Sequence, residues 1–301
     1  MALNAYNIKK WSLMLTGRSI LHVNQNLGQF FSTTELKGYY NNLTEKVTRL
    51  EHLLDTEELP MSPDESGGEI LFPVAIFQYG LGAYDLYLAS EKTDSRFLRK
   101  FMQCAEWAFS NQEPSGAWNN FFFRYPQNPY GAMAQGEGTS LLLRAYAQSG
   151  EKRFLLSAKK SIDFMLKPLN EGGTADGNIL LEYTHLPAVL NGWIFAWWGL
   201  YDYVLVTHDK GYYYDSLEKS CQELEDHLTK FSNSYWSMYD LAGHIASPFY
   251  HHLHISQMHA MYRLTGHKIF KDYAEKWQIE EHNWISHTRA FIKKAWQKIM
   301  E

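Results

Sequence analysis

Two apolar patterns alternate along the chain. FPVAIFQYGLGAYDLYL, GAMAQGEGTSLLLRAYAQSG, VLNGWIFAWWGLYDYVLVT and HHLHISQMHAMYRLTG are apolar or small almost all the way round. Each carries an apolar or small residue before a marker tyrosine: Tyr84, Tyr146, Tyr201 and Tyr262, at a period of about sixty residues. Between and after them lie Ser95–Ser110, Lys152–Leu166, Ser216–Phe231 and Phe270–Ile285, richer in Lys, Glu and Asp. Their apolar residues recur at helical spacing, as in Phe97, Phe101, Cys104 and Ala108. A helix that is apolar on every side is buried in a large protein or lies in a membrane. Asp202, inside the most apolar run, would be costly in lipid. Gly192 and Gly199 point instead to close packing between helices. Such repeats cannot bury their faces singly, so neighbours must stack or close. The pattern predicts an all-α protein: an (α/α) toroid of helical hairpins, apolar helices inside and amphipathic ones outside.

Residues 1–69 break the pattern and are expected to be an irregular, partly helical segment packed on a toroid of residues 70–301, in one domain. Within them, LTEKVTRLEHLL reads as a helix. Glu57–Glu69, with Pro60, Pro63, Gly67 and Gly68, reads as a loop. Trp118–Tyr125 and Gly177–Tyr183 are candidate short β pieces. Both precede an inner helix and would line the same end of the barrel.

Composition narrows the function. The net charge of −5 argues against a nucleic-acid partner, though a local basic pocket could still take an anionic substrate. The aromatic share of 16% suits either a sugar-stacking surface or a large core. Cys104 and Cys221 sit in helical patterns without a CxxC pair and read as buried thiols. Lys9 and Lys10 precede WSLMLTG, but Arg18 interrupts the apolar run. It makes a poor signal peptide and is too short for a membrane span, so the expected location is cytoplasmic.

Polar residues gather where loops enter inner helices. The second repeat offers Arg124 and Tyr125, then Gln135 and Glu137. The third offers Glu182, Tyr183 and Asn191. The fourth offers Tyr239 and Asp240, then Tyr250, His251, His252 and His254. A closed ring would bring these junctions to one mouth. His251 and His254 share a helical face, and His244 or His259 could complete a metal set. There is no HExxH, and hydrogen-bonding histidines are the simpler reading. GxSxG, P-loop and GxGxxG motifs are absent. Glu182, Glu137 and Asp240 could in principle supply paired acids for glycoside hydrolysis.

The block LLEYTHLPAVLNGWIFAWWGLYDY resembles the EY…P…VLNGF…GLYDL block of the D-glucuronyl C5-epimerase family. FPVAIFQYGLGAYD, AMAQGEGTSLLLRAY, and YWSMYDL followed by SPFYHHLHISQ resemble its other blocks, in order, from about Phe72 to Leu264. The chain departs from the family at Ala242-Gly243, where a basic residue follows YDL. The segment before SPFY is shorter, and the short irregular N-terminus stands where animal members have β modules.

The resemblance implies an α/α toroid that inverts C5 of glucuronic acid to iduronic acid in a heparosan-type polymer. It implies catalytic residues at Glu182, Tyr183, Tyr239 and Tyr250. C5 inversion removes a proton α to a carboxylate and returns one to the opposite face, so the site must offset the enediolate's charge. Arg124, His251 and His254 are the candidate cations. Gln135, Glu137 and Asn191 join them as candidate substrate-binding residues. A phenol ordinarily titrates near ~10, so one tyrosine is expected to be lowered by a neighbouring positive charge. Glu182 is read either as a base or as the group orienting Tyr183, with the orienting role favoured. No cofactor or metal is required. The expected partner is an anionic polysaccharide or oligosaccharide. A homodimer is also expected, through exposed Trp277, Trp284 and Trp296. The alternatives are a lyase or glycoside hydrolase on the same fold, or a non-catalytic glycan-binding toroid.

Overall fold

The computed structural model describes residues 22–23, 25–64 and 68–300. Lys9, Lys10 and Arg18, on which the leader reading turned, lie outside the described residues, as does Gly67. Among the described residues, four helical hairpins follow one another. They pair α2 (Pro73–Ala89) with α3 (Ser95–Ser110), α4 (Ala132–Ser149) with α5 (Lys152–Met165), α6 (Leu190–Thr207) with α7 (Tyr212–His227), and α8 (Pro248–Thr265) with α9 (Lys268–His282). The first helix of each hairpin is inner and packs on the next inner helix, giving the α/α toroid that the alternating pattern predicts. A further short helix, α1 (Thr44–Thr48), precedes them and a long one, α10 (Trp284–Met300), follows.

Sequence explains the division. α6 buries Leu190 through Leu200 without a break, whereas α3 buries one stripe, Lys100, Phe101, Cys104, Ala105 and Ala108. Asp94 caps α3, accepting from the Arg96 N–H at 3.0 Å, and Ser247 caps α8 ahead of Pro248. The inner helices approach closely because they are small where they meet. A Cβ on Gly199 would collide with the backbone of Gly136, and one on Gly136 with Ala196. Gly192 serves another purpose: a Cβ there would strike the Glu182 side chain.

The N-terminal part touches all four inner helices. The Tyr39 N–H donates to Asp85 of α2 at 2.9 Å. Arg144 of α4 donates to the carbonyls of Lys37 and Gly38, at 2.8 and 3.0 Å. The Tyr40 hydroxyl donates to Asp202 of α6 at 2.5 Å, and His252 of α8 meets Asn26 at 2.7 Å. Asp202, an oddity in the sequence, is fully buried and is held by Arg144 at 2.6 Å.

Several expectations change. LTEKVTRLEHLL is not one helix but α1 followed by a 3-10 turn at Glu51–Leu53. Trp118–Tyr125 forms turns, not a strand: the Arg124 and Tyr125 N–H groups both donate to the Phe121 carbonyl. Gly177–Tyr183 contains a two-residue strand, β4 (Ile179–Leu180), paired antiparallel with β3 (Ala175–Asp176) after a β1 (Ser62–Pro63) and β2 (Glu69–Ile70) pair nearer the N-terminus. The Phe270–Ile285 stretch is broken at Asn283, between α9 and α10. Both cysteines are buried thiols. Among the described residues, no helix is long and apolar enough to cross a membrane.

Candidate active site

Each inner helix from α4 onward is entered by a long loop, and backbone bonds run from one loop to the next. The Ala132 N–H, at the start of α4, donates to the Leu181 carbonyl at 2.7 Å. The Leu190 N–H, opening α6, donates to the Tyr239 carbonyl at 3.0 Å, and Leu241 donates back to Ala188 at 3.0 Å. The helix starts are thereby tied to their neighbours' loops, so residues about sixty apart in sequence meet at one end of the barrel.

Glu182 lies on the second of these loops. Its carboxylate rests against Gly192 in the first turn of α6 and is 7% exposed. Burial pushes its pKa up to about 7, and the neighbouring Tyr183 hydroxyl partly offsets the rise. The Tyr183 ring stacks on Phe121 at 4.6 Å and meets the edge of Tyr125 at 5.8 Å. Arg124 lies over the Tyr125 ring at 5.2 Å, and its charge also acts on the Tyr183 and Tyr250 phenols. From the third loop and α8, Tyr239 and Tyr250 pack edge to face at 4.8 Å. Tyr183, Tyr239 and Tyr250 are all half-buried. Glu182 acts electrostatically on each of them, so the four sequence candidates for catalysis form one cluster.

The charges differ from the sequence expectation. No phenol of the cluster is lowered. Burial, reinforced by the Glu182 charge, pushes Tyr183, Tyr239 and Tyr250 above their ordinary value, and Arg124 only moderates this for Tyr183 and Tyr250. At neutral pH the three phenols keep their protons, and Glu182 is the group poised to change charge.

The histidines are also corrected. His251 and His254 are fully buried, and burial drives His251 down to about 3 and His254 well below its ordinary value. His251 uses both ring nitrogens, Nδ1 with Ser237 at 2.8 Å and Nε2 with the Trp277 carbonyl at 3.0 Å. It stacks on Trp236 at 3.6 Å. His254 shares Ser237 at 2.9 Å. His251 ties the loop carrying Tyr239 to α8, which carries Tyr250, while His254 Nε2 is buried without a protein hydrogen-bond partner.

Gln135 and Glu137 likewise have no exposed surface. Gln135 clamps the backbone N–H and carbonyl of Trp118, at 3.1 and 3.2 Å, while Glu137 accepts from Gln78 at 2.8 Å. Burial pushes Glu137 up to about 8. Asp240 caps its own loop, accepting from the Ala242 and His244 N–H groups. Glu182 Oε2, Glu137 Oε2 and Asn191 Oδ1 are buried without a protein hydrogen-bond partner, an arrangement costly unless another polar group meets them. On that ground Glu137 and Asn191 both remain ligand candidates. Among the described residues, Cys221 and Glu225 of α7 and His267, just before α9, form a group that could hold a metal ion.

The family described as D-glucuronyl C5-epimerase C-terminus matches residues 112–279, more than half of the chain. The chain belongs to this family. All four residues of the cluster, and Arg124, fall inside the matched stretch. An uncharacterized protein of Methanocaldococcus jannaschii is 29% identical over 160 residues, 49% of this chain and 51% of that one. The D-glucuronyl C5-epimerase of Caenorhabditis elegans is 34% identical over 116 residues, 34% of this chain and 19% of that one. The matches thus span about half of the first relative and about a fifth of the second. A solved structure of UGL with dGlcA-Glc-Rha-Glc shares the fold, with a TM-score of 0.54 at 12% identity, over 79% of this chain and 66% of that one.

Proposed function

We propose that the protein is a uronyl C5-epimerase, converting D-glucuronic to L-iduronic acid units in a heparosan-type polysaccharide or oligosaccharide. The observation that carries this reading is the convergence of Glu182, Tyr183, Tyr239 and Tyr250, from two loops and a helix, within the family-matched stretch. Glu182, pushed up to about 7, is ionised in appreciable part at neutral pH and is a stronger base than an ordinary carboxylate. It takes the C5 proton. The electron pair left at C5 delocalises into the C6 carboxylate, whose added charge Arg124 offsets. A protonated tyrosine then returns a proton to C5 from the opposite face. Only the C5–H bond of the sugar and the tyrosine O–H bond break, and proton exchange with water returns Glu182 and the tyrosine to their starting states. This role for Glu182 replaces the orienting role favoured from sequence, because no phenol of the cluster is lowered enough to be the resting base.

The test is NMR of a glucuronic-acid oligosaccharide incubated with the protein in D2O. Deuterium enters C5 and iduronic acid accumulates, with no rise in the ultraviolet absorbance of an unsaturated uronate. A rise in that absorbance identifies a lyase, and no exchange at all refutes the proposal.

Tyr183→Phe and Tyr250→Phe are expected to lower turnover by about 10²-fold or more. Each removes one oxygen from a half-buried ring, so stability should fall by about 1 kcal/mol or less. Wild-type exchange in both variants, or loss of helical circular dichroism in both, would assign these tyrosines to packing.

The partner surface is proposed to be a second copy of the chain. Trp277 does not contribute, because it is fully buried against His251 and Tyr273. Trp284 and Trp296 do, at 75% and 55% exposure, with Ile285, Phe291, Ile292 and Met300 beside them on α10. Together these side chains make a contiguous exposed apolar surface on α10 of the kind that marks a protein contact. Light scattering is expected to give twice the chain mass of 35.1 kDa. Ile292→Glu with Trp296→Glu should return it to the monomer, and a monomeric wild type at micromolar concentration refutes the dimer.

A further inference from the structure

We infer that Lys294 of α10 is a second cation for the substrate carboxylate, at the Tyr239 side of the cluster. This rests on the uronyl reading above. The last helix seats one face on the loop that carries Tyr239. On that face Ala290 is buried against Trp236, Ile245 and Ala246. His287 meets the Trp236 ring at 5.6 Å. Gln297 accepts from the Ile245 N–H at 3.0 Å and donates to the Gly243 carbonyl at 3.1 Å. Lys294 is one turn from both anchors, since residues three and four apart share a helix face. Its stem therefore follows theirs toward the loop, and Nζ lies 5.5 Å from the centre of the Tyr239 ring.

The chemistry calls for a cation in this place. Proton removal at C5 puts a second negative charge on the carboxylate, and a positioned cation is the direct means of stabilising it. His251 and His254 are neutral and enclosed. Arg124 acts on Tyr183 and Tyr250, whereas Lys294 stands at Tyr239. The helix suits an anionic polymer as well. Its sequence, WISHTRAFIKKAWQKIM, has basic residues and no acid, in a chain whose net charge is −5. The cluster is thus flanked by Arg124 from the first loop and Lys294 from the last helix.

The experiment compares wild type, Lys294→Met and Lys294→Arg as full chains. It measures C5 exchange in D2O on a glucuronic-acid oligosaccharide, and calorimetric binding of that oligosaccharide and its carboxyl-reduced form. Lys294→Met, which keeps the apolar stem, is expected to raise KM about tenfold and to lose most of the preference for the acidic form. Lys294→Arg should retain the preference. A wild-type preference in Lys294→Met overturns the assignment, as does a loss that Lys294→Arg fails to restore, which would mark Lys294 as packing only. If wild type exchanges and Lys294→Met matches it, Lys294 alone is refuted. If wild type neither binds nor exchanges, the uronyl reading fails and this inference with it.

Discussion

Glu182→Gln is expected to reduce C5 proton exchange by about 10²- to 10⁴-fold at neutral pH, the range a positioned acid or base contributes. The amide is nearly isosteric but cannot accept the proton. Wild-type exchange should fall as pH falls through about 7, because burial keeps the carboxyl protonated below that value. Glu182→Gln should lose this acidic limb. Stability should move the other way. The folded carboxyl, raised from 4.5 to about 7, binds its proton more tightly than the unfolded one. Its contribution is fully present below the unfolded value and is lost as pH rises through the folded one. The amide cannot ionise, so the variant should melt higher than wild type above pH 7 relative to their difference at low pH. Glu137, pushed up to about 8 by burial and in part by the Glu182 charge, should titrate lower in the variant, which adds to the difference in the same direction. Exchange within tenfold of wild type, with the acidic limb intact, would remove Glu182 as the base.

The largest stability loss is expected at the opposite ends of the same inner helices. Arg144→Met leaves Asp202 buried with Tyr40 as its remaining side-chain donor, and also removes the donors to the Lys37 and Gly38 carbonyls. The pair is 1% and 0% exposed, so water cannot substitute for the lost partner. Breaking such a pair costs about 3–5 kcal/mol. Urea denaturation reads the loss, and limited proteolysis should cut residues 27–41 faster than in wild type. A loss under about 1 kcal/mol, with unchanged proteolysis, would mean that the N-terminal part is held by its buried tyrosines instead. Tyr39 and Tyr40 pack on Trp198 at 5.8 and 5.1 Å and are the groups that would have to do so.

The alternation of all-round apolar and one-faced helices was readable because helix period and burial leave their trace in sequence wherever a helix packs. Ser95–Ser110 begins and ends where the pattern put it, with Asp94 as its cap. The WNNFFFRY stretch misled because its aromatics pack across a turn, and strand propensity measures fit to a half-buried surface more than a backbone state. The matched blocks and the loop-to-helix junctions also picked out Glu182, Tyr183, Tyr239 and Tyr250, which the fold brings into one cluster.

What the sequence by itself determined is therefore the hairpin repeat, the inner and outer faces, the family blocks and the kinds of residue at the helix entrances. Only the tertiary structure decided their charges. Whether Glu182 or a tyrosine is the resting base depends on desolvation and on the distances between charges, and neither is encoded in spacing along the chain. His251 and His254 show the same limit. Their spacing put them on one helical face, but Ser237, Trp236 and Trp277 closed around them and kept them neutral. Lys294 shows it from the other side. It follows Tyr239 by fifty-five residues, and nothing local marks it as part of the site. The seating of Ala290 and Gln297 on the loop carries it there, a long-range contact that exists only once the chain has folded.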